Sequence, residues 1–219
     1  MHNVTVAFAA LLVMLLSYFF GCFNGSFMVS HFIIRDDVRK HGSGNAGLTN
    51  FYRTYGAKYA LLVIACDMGK TVAACLLGSF FFRCLGWDGT LGTLLAGLGC
   101  ELGHIFPVFY GFRGGKGILS GGTLVLLLNW RVAAVAWALF LLLWLTTRYV
   151  SLASITATCS APVTMFFVYG HNWLYTGLCL AVAALVVWCH RENIQRLLHG
   201  TEKKFKWHVN PMEGKDPPQ

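Results

Sequence analysis

Long apolar segments alternate with short polar segments along most of the chain. Seven of the apolar segments approach the ~20 residues that a helix needs to cross a bilayer: about 4–30, 57–82, 89–110, 117–130, 132–148, 151–170 and 172–190. The pattern predicts an all-α polytopic membrane protein with seven transmembrane helices. The fourth segment is short and rich in glycine at its start, so five or six spans stay open if segments four and five form a re-entrant pair.

The basic residues predict the orientation, because lysine and arginine concentrate in cytoplasmic loops. With the N-terminus outside, all but three of the 17 lysines and arginines fall on the cytoplasmic side; the exceptions are Arg83, Arg131 and Lys70. No lysine or arginine precedes the first apolar segment, so we expect it to stay as a helix and not to be a signal peptide. We therefore expect a transmembrane domain at 1–200 and a cytoplasmic basic tail at 201–219.

Composition supports a bilayer as the solvent. The chain is 56% hydrophobic and 12% charged, and its mean hydropathy is +0.59. The net charge of +8 is distributed in short segments between apolar ones, which argues against nucleic acid as a partner. The eight cysteines form no C-x-x-C pair, so we expect no disulfide framework, no metal site and no cofactor.

Three polar segments are candidates for chemistry, and the topology puts all three on one side. The first, at 39–53, combines glycines with polar side chains and Arg53, as a phosphate cradle would. A flexible Gly/Asn turn is the alternative interpretation of this segment.

The second segment contains His104 and a Gly114-Gly115-Lys116-Gly117 turn that leads into a helix. Backbone amides, a helix N-terminus and an ammonium group there favour a phosphate. It is not a P-loop, because the spacing of that motif is absent, and this disfavours a nucleoside triphosphate. Anchoring by positive charge is the simpler interpretation, and it does not exclude a site.

The third segment begins at His190, and a helix there would place His190 and Asn193 on one face with Arg191 beside them. It could hold a hydroxyl or a phosphate, or be only a charged helix end. Inside the apolar segments, Asp67 and Lys70 are three residues apart, and we favour a structural ion pair over a catalytic role for them.

At these residues the chain resembles a known family. The blocks are GSGNAGLTNFYRTYG (42–56), Asp67 with Lys70, GHIFPVFYGFRGGKG (103–117), TRYVSLASI (147–155) and HRENIQRLLHGTEKK (190–204). Together they resemble the bacterial acyl-phosphate-dependent glycerol-3-phosphate acyltransferases, the PlsY family. The departures are Leu48, Arg113 and the 21–25 segment of the first helix.

The resemblance implies a multi-pass enzyme of the bacterial inner membrane whose active site faces the cytoplasm. It implies transfer of a fatty acyl group from acyl phosphate to the 1-hydroxyl of glycerol 3-phosphate, giving lysophosphatidic acid and phosphate. The bilayer, the two substrates and the enzyme that makes acyl phosphate are the expected partners. A membrane carrier for phosphorylated organic anions is the alternative function.

We expect phosphate-binding and positioning groups to suffice for this chemistry. The predicted catalytic residues are Ser43, Lys116, His190 and Asn193. The predicted substrate-binding residues are Gly44, Asn45, Thr49, Asn50, Arg53, His104, Gly114, Gly115, Gly117 and Arg191. We expect the amides of Gly114 and Gly115 to hold the acyl-phosphate group, and the hydroxyl proton to pass to a substrate phosphate oxygen, with His190 as the alternative base.

Overall fold

The computed structural model describes residues 2–207, with side chains from residue 4 onward. Within that range the regular structure is helical: α1 (His2–Cys22), α2 (Gly25–Met28), α3 (Leu48–Tyr55), α4 (Ala60–Cys84), α5 (Gly89–Ile105), α6 (Ile118–Leu128), α7 (Trp130–Thr147), α8 (Val150–Val168), α9 (Trp173–Cys189) and α10 (Arg191–Leu198). The predicted all-α architecture is confirmed. The end of the predicted tail, 208–219 with Lys215, lies outside the described residues.

Five helical segments in the described part are long and apolar enough to cross a membrane: Val4–Ile34, Ala60–Cys84, Gly89–Tyr110, Trp130–Thr147 and Val150–Val168. A sixth is formed if α9 and α10, bent by 59° at their junction, count as one span. The fourth predicted segment is helical as α6, but its 11 residues are short for a bilayer. Seven spans therefore stay a prediction.

The first span is broken about two thirds of the way along, between α1 and α2. After α1 ends at Cys22, the Asn24 side chain accepts a hydrogen bond from the Phe27 amide (2.9 Å) and so caps α2. A π-helical turn, Val29–Ile34, continues the segment. The Asn24 side-chain amide also donates to the Ala46 carbonyl (2.9 Å), which ties the break to the first polar segment.

Helices α1 and α5 approach each other backbone to backbone. A Cβ atom at Gly103 would collide with the Tyr18 carbonyl oxygen, and one at Gly99 would collide with the Met14 carbonyl oxygen. Only glycine permits this crossing. It makes α5 the most enclosed of the long spans, and the second polar segment starts from its end.

A buried network of Asp67, Lys70 and His104 braces the broken span. The Lys70 ammonium lies 2.8 Å from the Asp67 carboxylate and 2.7 Å from His104 Nδ1. It also donates to the carbonyls of Gly21 (3.1 Å) and Phe23 (2.9 Å), which the break leaves without helical partners. These contacts support the structural interpretation of the Asp67–Lys70 pair.

Candidate functional site

The first polar segment folds as a loop around the side chain of Asn50. The Asn50 amide group donates to the carbonyls of Val38, His41 and Asn45 at 3.0–3.1 Å. Its oxygen accepts from the Ser43 amide at 2.9 Å. Asn50 is buried and its polar atoms serve the loop, so the geometry gives it an ordering role. Its predicted contact with substrate stays a prediction.

Two glycines give this loop its turns. Gly42 and Gly44 have φ values of +60° and +68°, in the left-handed region that favours glycine. Between them Ser43 is exposed, and Thr49 is half-buried at the start of α3. The loop is ordered by its own hydrogen bonds, which favours the cradle over a flexible turn.

Hydrogen bonds join this loop to the second polar segment. The Ala46 amide donates to the Gly114 carbonyl at 3.3 Å, and the Asn45 side-chain amide approaches the same oxygen at 3.5 Å. On the other side, the His104 ring fills the space that a Cβ atom of Gly115 would need. His104 is therefore buried between the network and the loop, where it supports the loop.

The structure corrects the roles of two predicted amides. Gly114 donates its N–H to the Ile105 carbonyl and Gly115 donates to the His104 carbonyl, both at 3.1 Å. Neither N–H is available to an acyl phosphate. The open amides are those of the first turn of α6, which follows Gly117 at φ +79°, because the first N–H groups of a helix have no intrahelical acceptors.

Lys116 connects the second segment to the third through a chain of polar contacts. Its ammonium donates to the Asn193 side-chain oxygen. The Asn193 amide donates to Glu202 Oε1 (2.8 Å), as does the Ser151 hydroxyl (2.7 Å), while Arg196 Nε donates to Glu202 Oε2 (2.7 Å). We call these five residues the Glu202 cluster. It gathers α6, α8, α10 and the following segment around one carboxylate.

The electrostatics of the cluster are those of an anion site. Burial and then the neighbouring charge of Arg196 hold the pKa of Lys116 below its ordinary 10.5. Burial raises the pKa of the Glu202 carboxyl, but the hydrogen bonds from Arg196, Asn193 and Ser151 outweigh it and lower the pKa overall. The carboxylates of Glu202 and of Glu192, 3.9 Å from Arg196, thus face three cations, Lys116, Arg196 and the neighbouring Arg53, which leaves positive charge for a phosphate.

His190 lies at the junction of α9 and α10 and is buried. Its Nδ1 is 2.8 Å from the Val186 carbonyl oxygen, which can only accept, so Nδ1 carries a proton. In the neutral ring, Nε2 is then the free acceptor. This tautomer suits either a hydrogen bond from a substrate hydroxyl or proton acceptance from it.

Arg53 and Arg191 take different directions. Arg53 donates from Nη2 to the Lys203 carbonyl (3.1 Å) and interacts electrostatically with Glu202 and Arg196, so it lies beside the cluster. Arg191 lies over the Trp188 ring at 4.3 Å and donates to the Trp188 carbonyl (3.2 Å). The predicted role of Arg191 in substrate binding finds no support in this arrangement.

The family model for glycerol-3-phosphate acyltransferase matches residues 11–200. The chain belongs to this family. A glycerol-3-phosphate acyltransferase of Syntrophomonas wolfei is 39% identical over 197 residues, which cover 90% of this chain and 96% of the relative. One from Alkaliphilus metalliredigens is 40% identical over 195 residues, with 89% and 95% covered.

Crystal structures of PlsY (YgiH), an integral membrane glycerol 3-phosphate acyltransferase, share the fold. The glycerol 3-phosphate form matches with a TM-score of 0.79 at 37% identity, covering 90% of this chain and 96% of that one. The lysophosphatidic acid form matches with a TM-score of 0.77 at 36% identity, covering 90% and 95%. The resemblance predicted from the sequence blocks is confirmed, and the protein is a multi-pass membrane acyltransferase.

Three residues that the structure places in the acyltransferase's Glu202 cluster, Ser151, Arg196 and Glu202, have no role predicted from the sequence. Ser151 lies in the TRYVSLASI block, and Glu202 lies two residues before the end of the last block, 51 positions after Ser151. A single serine and a single glutamate at that separation carry no periodicity that would pair them. The coincidence of two otherwise unexplained polar residues in the matched blocks was the available signal.

Glu101 is a further residue to which the sequence assigns no specific role. It is 1% exposed on α5, and among residues 2–207 neither of its carboxyl oxygens has a hydrogen-bond partner. The carboxylate fills the space beside Gly117, where a Cβ atom would collide with it, and lies 3.2 Å from the position of a Cβ at Gly121. It therefore backs the first turn of α6 from inside the bundle.

Proposed function

We propose that this chain transfers a fatty acyl group from acyl phosphate to the 1-hydroxyl of sn-glycerol 3-phosphate, giving lysophosphatidic acid and phosphate. The observation that carries the proposal is the joining of the three polar segments at one place: the first segment bonds to Gly114 of the second, and Lys116 of the second donates to Asn193 of the third. That convergence supplies cations, open amides and hydroxyl-binding groups at one place. Both forms of PlsY that share the fold are named for a phosphorylated glycerol compound.

Glycerol 3-phosphate binds, in this proposal, to the basic side of the site. Arg53 and Lys116 hold its phosphate, since both carry positive charge, Lys116 within the Glu202 cluster and Arg53 beside it. Ser43 adds a hydroxyl from the first loop. His190 and Asn193, on successive turns after α9, hold the glycerol hydroxyls.

We assign the acyl-phosphate group to the first turn of α6, and no longer to the amides of Gly114 and Gly115. The open N–H groups that follow Gly117 favour an anion there. Asn45 and Thr49 complete this side from the first loop, with Gly44 allowing its turn. The acyl chain then extends between the spans into the bilayer.

The chemistry requires little covalent help from the protein, because phosphate is a good leaving group. The oxygen of the 1-hydroxyl attacks the carbonyl carbon, a carbon–oxygen bond forms, and the bond between that carbon and the phosphate oxygen breaks. The hydroxyl proton passes to a phosphate oxygen, with Nε2 of His190 as the alternative acceptor. Lys116 and the α6 amides stabilise the charge that develops on the departing phosphate.

The proposal includes the placement of the chain in the membrane. The N-terminus lies outside, the C-terminus and the site lie on the cytoplasmic side of a bacterial inner membrane, and seven apolar segments enter the bilayer. The basic residues of the three polar segments are the support, since hydrogen bonds join these segments to one another and lysine and arginine concentrate on the cytoplasmic side of a membrane. The enzyme that makes acyl phosphate delivers the donor on this side.

The test mixes purified protein with palmitoyl phosphate and labelled glycerol 3-phosphate and follows both products. We expect lysophosphatidic acid and inorganic phosphate in equal amounts, with little phosphate release when glycerol 3-phosphate is omitted. Phosphate release that does not depend on glycerol 3-phosphate would indicate hydrolysis instead. Uptake of glycerol 3-phosphate into vesicles without any product would indicate a carrier.

A further inference from the structure

Residues 201–207, which we call the strap, follow α10 and lie beyond the part matched by the family model. The strap begins in the site, because Glu202 is the centre of the Glu202 cluster. Its remaining residues run towards α3 and the corner between α7 and α8. It thus connects the third polar segment to the first one outside the bundle.

Aromatic rings fix the strap in place. The Phe205 ring stacks on the Tyr52 ring (centroids 5.4 Å apart) and meets the Trp144 ring edge-on at 5.3 Å. The Trp207 ring lies 5.0 Å from Trp144. The Phe205 amide also donates to the Arg148 carbonyl at 2.8 Å. These contacts hold the strap against α3 on one side and α7 on the other.

Two consecutive residues of α3 bind the backbone of the strap. The Tyr52 hydroxyl donates to the Trp207 carbonyl at 2.7 Å, and Arg53 Nη2 donates to the Lys203 carbonyl at 3.1 Å. An arginine side chain has many rotamers, and a fixed acceptor for one guanidinium nitrogen restricts them. The remaining guanidinium donors of Arg53 are left to bind an anion.

We propose that the strap positions Arg53 for the phosphate of glycerol 3-phosphate, and that Tyr52 and Phe205 thereby set the affinity for this substrate. The proposal rests on the proposed function, in which Arg53 holds that phosphate. Neither Tyr52 nor Phe205 contacts the substrate in this account; they act through Arg53. The acyl-phosphate group, at the first turn of α6, contacts neither Tyr52 nor Phe205 in this account.

The experiment compares Phe205→Ala and Tyr52→Phe with wild type, and uses Lys206→Ala as the matched control because Lys206 is an exposed residue of the same strap. The first two variants should give the Arg53 side chain more rotamers, and the cost of ordering it should raise KM for glycerol 3-phosphate about three- to tenfold. KM for palmitoyl phosphate and the melting temperature should stay at wild-type values. Lys206→Ala should match wild type throughout.

A second arm places the same substitutions in an Arg53→Ala background, where they should have no further effect on KM for glycerol 3-phosphate. The proposal is overturned if KM for glycerol 3-phosphate is unchanged in both single variants. It is also overturned if both KM values rise together with a lower melting temperature, or if the effects persist without Arg53. Calorimetric binding of glycerol 3-phosphate gives the same comparison without turnover, so a failure of the acyl-phosphate assignment is separable from a failure of this one.

Discussion

The buried network of Asp67, Lys70 and His104 and the Glu202 cluster contain similar groups in different surroundings. In the network, the Lys70 ammonium meets a carboxylate, two carbonyls and an imidazole, all fixed inside the bundle. At the Glu202 cluster, the two carboxylates of Glu202 and Glu192 face the three cations Lys116, Arg196 and Arg53 at the end of the spans. Charge that is fully matched by the fold stabilises the fold, whereas charge in excess at a surface is available to a ligand.

The largest effect should come from breaking the buried network. Asp67→Ala leaves the Lys70 ammonium buried without its carboxylate, which should destabilise the protein by about 3–5 kcal/mol. In the double variant with Asp67→Ala and Lys70→Met, the loss of stability should be smaller than in Asp67→Ala alone, because no unpaired charge remains. Thermal unfolding in detergent measures both. If Asp67→Ala melts like wild type but has no turnover, the network belongs to the chemistry.

Removal of one charged partner from the Glu202 cluster should impair turnover and leave stability unchanged, the reverse of the result expected for the buried network. Lys116→Ala should lower the turnover at least ~100-fold, by comparison with the loss of one preorganised donor, while the melting temperature stays near that of wild type. Phosphate release and a melting curve on one preparation measure both quantities. Turnover close to wild type would remove Lys116 from the site.

The first loop offers a smaller effect that depends on backbone conformation. Valine at Gly44 is strained at φ +68°, at a cost of about 1–2 kcal/mol, although the nearest atom to its Cβ would be the Arg39 carbonyl oxygen at 3.5 Å. Gly44→Val should reduce kcat/KM about tenfold, more than Ser43→Thr. Gly44→Asn is the matched control, since asparagine tolerates this region. Equal activity of the valine and asparagine variants would indicate an ordinary loop.

The pH dependence should report on the cluster alone. The pKa of Lys116 is lowered by burial, so its ammonium loses its proton at a lower pH than a free lysine does. Turnover should therefore fall on the alkaline side as pH rises through that lowered pKa. In Lys116→Arg the charge persists, and the alkaline fall should move to higher pH. An unchanged alkaline limb would mean that another group titrates.

The smallest effect should come from Glu101, which belongs to the buried part of the comparison. Glu101→Gln replaces a buried carboxyl group, whose oxygens have no hydrogen-bond partner among the described residues, with an amide of the same shape, so we expect stability to change by less than about 1 kcal/mol. Turnover should stay within about twofold, since Glu101 lies behind the α6 turn. A large loss of turnover in a stable Glu101→Gln protein would place this carboxyl in the mechanism.

The sequence predicted the helices well because apolar length is a local property. It did not predict the break at Asn24, since that break depends on an asparagine cap and on carbonyls that accept from Lys70, 46 positions further along. The three polar segments of the site were found from glycine and charge. The occupied amides of Gly114 and Gly115, and the pairing of Ser151 with Glu202, depend on tertiary contacts that no local pattern specifies.

The most direct test of the account compares acyl donors. Palmitoyl phosphate, palmitoyl-CoA and palmitoyl-acyl carrier protein are given to the purified protein at equal concentrations, each with labelled glycerol 3-phosphate, and labelled lysophosphatidic acid is measured. Because the groups beside Lys116 bind anions of the size of a phosphate, the account predicts rapid product formation from palmitoyl phosphate alone. Comparable rates from either thioester would contradict the donor assignment, and no product from any of the three would contradict the proposed reaction.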